Sequence, residues 1–191
     1  MVIWEVSRYS PDATPSLDQQ RAALDLVDRA HESVIAHGWH DYDKAIADGF
    51  RQMPDDVRHY MKDEFLLDDR ILDPDRPEFV MYYPTPDGMV LTGMMFLVRS
   101  SEDWGPQVGG PLTVWHYHRW RRKRCYRDEV IVLGFAERGE ECEAGVGKVR
   151  SPEMMHVWLI DRPDGPFATA MHLNPAKLGD LLASRKRERG Y

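Results

Sequence analysis

Residues 110–120, GPLTVWHYHRW, place two histidines two positions apart inside an apolar and aromatic run. In an extended strand successive side chains point to opposite faces. Leu112, Val114, His116, His118 and Trp120 then share one face, and Thr113, Trp115, Tyr117 and Arg119 the other. Apolar surroundings disfavour the charged form of an imidazole, and the neutral form is the one that binds metals. Side chains at i and i+2 stand roughly 7 Å apart at Cβ, so both rings can lean onto one ion.

The rest of the chain has to supply a sheet for that strand. Residues 1–15 show no clear periodicity, and Pro11 and Pro15 mark a loop. Ser16, with Gln19 three residues on, has the form of a capping box. Ala23, Leu26, Val27, Ala30 and Val34 then recur at helical spacing until Gly38 stops the helix near His37. A second helix is expected over residues 41–50, with Ala45, Ile46 and Phe50 inward, and Pro54 restarts a polar helical segment to about Leu67. From Glu78 the pattern changes. Residues 78–83 and 89–98 read as a hairpin about the PTPDG turn, and residues 129–135 and 155–160 as further strands. Asn174 and Pro175 suit the N-cap and first position of a last helix to residue 189. The order is helices, then an antiparallel sheet, then a helix, which is α+β. One domain is expected over residues 1–191: a 1–15 extension, a 16–67 helical part, a 78–161 sheet and a 174–189 helix.

At 191 residues the chain can bury a substantial core. The net charge of −7 and the sequence pI near 5.6 argue against nucleic-acid binding. The basic run at Arg119 to Arg124 is expected to be a solvated hairpin edge, where cations discourage unwanted pairing. No apolar run approaches the roughly 18 residues that span a bilayer, so no membrane partner is expected. The start, MVIWEVSRYS, lacks a basic stretch followed by a long apolar one, and the cytoplasm is the default compartment. The two cysteines, Cys125 and Cys142, flank one apolar run. They are either free thiols or a disulfide across a hairpin, and a disulfide would favour an extracytoplasmic location.

His156 lies in the MHVWLI strand, on one face with Met154, Trp158 and Ile160. Pairing of the strands would bring His116, His118 and His156 to one spot, with His59 joining from the helical layer. Three or four imidazoles suit one zinc, copper, iron or nickel ion. His172, before the last helix, is a further candidate ligand behind these four. His31, His37 and His40 are expected to cap or decorate the first helices. Met94, Met95, Met154 and Met155 offer soft ligands for copper(I) or simply fill core gaps. Glu153 is a candidate general base or partner of a ligating histidine, against the simpler reading of an exposed loop glutamate.

Two resemblances bear on these residues. Gly110, five residues, His116, one residue, His118 resembles the opening of the cupin motif, whose members hold a metal inside a small β-barrel. Where a cupin places a glutamate ligand, this chain has Arg122 and Lys123. A broader succession looks like a bacterial family of small proteins without an assigned activity. It runs DKAIADGF, HY at His59, LLDDRILDPDRPE, YYPTPDGMVLTGMMFLV and MHVWLIDRPDGPFA with NP. That resemblance implies one shared domain with histidines at His59 and His156, and a glutamate is frequent there at the position of Met95.

The expected architecture is therefore α+β with a cupin-like or half-open barrel sheet holding one transition metal. The function expected is metal binding through His116, His118, His156 and His59, with metal-dependent oxidoreductase chemistry on a small-molecule substrate if the coordination stays open. The alternatives are a non-catalytic copper or zinc carrier, and a metal-free domain binding a small molecule or a partner. The composition is compatible with a homo-oligomer.

Overall fold

The computed structural model describes residues 13–191 together with the backbone of Val2–Ser7. The loop expected at Pro11 lies outside the described residues. Among the described residues nine strands pair antiparallel: β1 (Val2–Ser7), β2 (Arg51–Gln52), β3 (His59–Met61), β4 (Phe79–Thr85), β5 (Gly88–Leu97), β6 (His116–Arg127), β7 (Ile131–Phe135), β8 (Val146–Arg150) and β9 (Met154–Trp158). The main path runs β1-β6-β9-β5-β4-β3-β2, with β7 and β8 also pairing with β6. The sheet curls into a half-barrel between its edge strands β1 and β2, so the architecture is α+β.

The helices of the described residues are α1 (Leu17–His37), α2 (Tyr42–Ala47), α3 (Asp63–Leu66) and α4 (Pro175–Arg189). The expected capping box is present. Ser16 Oγ accepts from the Gln19 N–H at 3.2 Å, and Gln19 Oε1 accepts from the Ser16 N–H at 2.9 Å. Gly38 closes α1 at φ 73°, a left-handed conformation that costs glycine little. The buried stripe Ala23, Leu26, Ala30 and Val34 packs α1 on the convex side of the sheet.

The period of two sorts the two sides. Val80, Tyr82, Met94, Phe96, Met155 and Val157 join the α1 core, whereas Phe79, Met81, Met95, Leu97, Met154 and Trp158 join a second core on the concave side with Leu178 of α4. Burying a side chain of this size contributes about 1.5–3 kcal/mol. Gly93 lets β4 and β9 close on β5. A Cβ there would lie 2.4 Å from Met81 Cε and 2.6 Å from the Val157 carbonyl.

Several expectations need correction. Residues 112–115 are not strand: Gly110–Leu112 is a 3-10 turn, and β6 begins at His116. Residues 54–67 are not one helix, since β3 interrupts them and puts His59 in the sheet. Ile46 is 39% exposed rather than inward. The unpatterned N-terminus contributes β1, and β8 was not anticipated. The basic run is not a hairpin edge either. It lies within the 12-residue β6, flanked by β1, β9, β8 and β7 along its length.

A candidate histidine pocket on the concave face

Four of the expected ligands come together. The ring centroids of His116 and His156 are 5.0 Å apart, those of His116 and His118 5.5 Å, and those of His59 and His156 5.9 Å. His116 and His118 share a face of β6, as the alternation requires. Their strand meets β9 through the His116–Met154 pair, while His59 arrives from β3, in register with Met81. Met95 stands directly opposite His156 across β5 and β9.

His59, His118 and His156 line a cavity of about 440 Å³ floored by Met95, Met154 and Phe79. His116 lies behind them at 0% exposure. The backbone of His118 is pinned on both sides by Ser151: its N–H donates to Ser151 Oγ at 2.9 Å, and its carbonyl accepts from the Ser151 N–H at 3.0 Å.

Each ring has a distinct electrostatic setting. Burial, reinforced by the neighbouring His118, lowers the His116 pKa to about 3. Burial, with the charges of His59 and Arg124, lowers that of His118 to about 4. His156 is held well below the usual imidazole range by burial and by His116, and its Nδ1 faces the Ala168 carbonyl at 3.3 Å. His59 Nδ1 is 3.0 Å from Asp56 Oδ2, while its buried Nε2 has no hydrogen-bond partner. Burial pushes the Asp56 carboxyl upward, but the hydrogen bond and charge of His59 and the Arg58 N–H outweigh it, leaving the group well below the carboxylate range. His118 Nδ1 is likewise buried without a partner. Among the described residues, no three His, Cys, Asp or Glu side chains stand with their donors already gathered as a ligand set.

The other candidates sit elsewhere. His172 is exposed on the loop before α4, where its carbonyl accepts from Arg162, and it does not line the cavity. Glu153 is 0% exposed rather than a loop residue in solvent. Its Oε2 accepts from the Gly105 N–H at 2.9 Å, which ties the loop before β6 to β9. Met95 and Met154 face the cavity, whereas Met94 and Met155 face α1.

Two further groups were missed from the sequence. Asp56 sits three residues before His59, within the segment read as helical. Arg124 continues the alternation His116, His118, Trp120, Arg122, Arg124, and that parity alone would have placed it on the histidine face. The structure puts Trp120, Arg122, Arg124 and Tyr126 in the cavity wall. Trp120 stacks on His118 with centroids 5.2 Å apart and a 9° interplanar angle. Cys125, on the opposite parity, forms a disulfide with Cys142, Cα to Cα 5.7 Å.

No helix among the described residues is long and apolar enough to cross a membrane. No protein-family model, curated protein or solved structure matches the chain.

Proposed function

We propose that this pocket binds one first-row transition-metal ion through His59, His118 and His156, with His116 as a fourth imidazole at its back. The observation that carries the reading is His59. A carboxylate holds its Nδ1 while the opposite nitrogen is buried and unpartnered. Carboxylate–histidine pairs of this kind orient metal-binding imidazoles and raise their basicity. The spacing supports it too. With metal–nitrogen bonds of about 2.1 Å, two tetrahedral imidazole ligands have ring centroids about 5 Å apart, against 5.9 Å for His59–His156, 5.0 Å for His156–His116 and 5.5 Å for His116–His118. Depressed pKa values keep His116, His118 and His156 neutral and ready to ligate at pH 7.

A cavity of about 440 Å³ beside the rings leaves room for a substrate. An ion with an open position would polarise or activate a small molecule there. Redox chemistry is favoured over hydrolysis because the proposed ligands are neutral imidazoles and, of the two lining carboxylates, Asp56 is engaged by His59 and Asp55 lies toward solvent. Met95 and Met154 beside the histidines favour a second reading, a copper carrier with thioether ligands. The Cys125–Cys142 bridge supports an oxidising compartment.

The test is cobalt(II) or zinc titration of chelator-stripped protein. His59→Ala and His118→Ala are each expected to weaken binding at least tenfold. Unchanged affinity in both variants would overturn the ligand set.

A further inference from the structure

Arg124 is an anomaly of charge. It is 5% exposed, yet among the described residues it forms no ion pair, and Asp55 and Asp56 reach it only through their charge. Its one hydrogen bond is from Nη2 to the Pro54 carbonyl at 3.3 Å, and its Nε is buried with no partner. The guanidinium stands 4.8 Å from the ring centroids of both Trp120 and Phe135. Removing a cation from water costs several kcal/mol unless an anion compensates. The nearest acids do not serve. Asp56 is bonded to His59, and Asp55 is exposed and acts on Arg124 only at a distance.

Arg124 lines the same cavity as His59, His118 and His156. Two more guanidiniums, Arg58 and Arg122, line it as well. Arg58 Nη1 donates to the Met171 carbonyl, and Arg122 lies over Phe135. Asp55, Asp56, Ser151 and Thr169 are further polar residues of the lining, and its apolar wall comes from Phe79, Leu97, Val132 and Met154.

We infer that the cavity binds a small apolar monocarboxylic acid, its carboxylate on Arg124 and its aryl or alkyl body against Phe79, Leu97 and Val132. A planar guanidinium fork matches a carboxylate in two parallel hydrogen bonds. The volume lies within the range of small-molecule pockets. Arg124 is the most deeply buried of the three guanidiniums, and Asp55 and Asp56 offset the charge of the other two, so the cavity suits a single negative charge better than the dianion of a phosphate ester. The inference rests on reading this cavity as the binding site, but not on the metal.

The experiment compares phenylacetate with phenylacetamide by calorimetric titration of chelator-stripped protein, so that no ion can hold the carboxylate. Phenylacetate is expected to bind at least tenfold tighter than the amide. Arg124→Met is expected to erase that preference while leaving amide binding and zinc binding intact. Equal affinity for acid and amide, no binding of either, or phenyl phosphate binding tighter than phenylacetate would overturn the inference. If Arg124→Met does not fold, the wild-type comparison of acid and amide decides alone. Zinc titration of the same samples separates the two claims. Carboxylate preference without zinc binding sinks only the metal centre, and zinc binding without carboxylate preference sinks only this inference.

Discussion

At the scale of single residues, the pocket depends on side chains that do not themselves ligate. Asp56 holds the Nδ1 side of His59 and leaves Nε2 aimed inward. Asp56→Asn removes the charge while keeping the shape. Outer partners of this kind are typically worth 10–100-fold in metal affinity, so cobalt binding by Asp56→Asn is expected to weaken by that factor with the fold intact. Affinity equal to wild type would mean that His59 is oriented by packing alone. The sequence showed His59 but not its partner, because three residues of polar chain before a histidine carry no signal of contact. Arg124 was legible in principle. Alternation along β6 gives it the parity of His118, but six residues crowded with Arg and Lys read as surface.

At the scale of elements, what the sequence revealed followed the strength of local rules. α1 is fixed by its capping box, its apolar stripe and Gly38, and its bounds came out as expected. β4, β5 and β9 are dense in apolar side chains on both faces because both faces are covered, by α1 on one side and the concave core on the other. The short and polar strands were invisible. β8 reads VGKVR, β2 has two residues, and β3 is three residues between turns, so each exists through its neighbours rather than its own propensity. The Cys125–Cys142 bridge anchors the chain between β7 and β8 to β6 across 17 residues. Closing a loop of that length is worth about 3 kcal/mol on the chain-entropy account. Chemical denaturation with and without reductant is expected to differ by roughly that amount, and an unchanged midpoint would show that the bridge stabilises nothing.

For the whole molecule, three neutral rings buried together make stability depend on pH in one direction. His116 and His118 have folded-state pKa values of about 3 and about 4, and His156 lies well below its ordinary value, against 6.5 for the free side chain. His31, beside Tyr191 on the other side of the molecule, is lowered to about 4, chiefly by burial and then by Arg189 and Arg185. As pH falls through 6.5 the unfolded chain takes up protons that the folded chain refuses, so stability is full above that value and is lost below it. Each ring costs roughly 1.4 kcal/mol per pH unit in that window, or about 2 kcal/mol by pH 5. Buried Glu78, its carboxyl pushed well up by burial, works in the opposite sense, but as one group against four. Metal-free protein is therefore expected to melt at a lower temperature at pH 5 than at pH 7.5, and His118→Asn to show a shallower decline. A decline identical to wild type would mean that His118 is protonated in the folded state.

If imidazoles from β3, β6 and β9 serve one ion, protein purified without added metal carries it. Elemental analysis of wild type beside His118→Ala is expected to find close to one equivalent of a first-row transition metal per wild-type chain and at most a tenth of that in the variant. Trace metal in wild type, or equal loading of the two proteins, would rule out a shared ion.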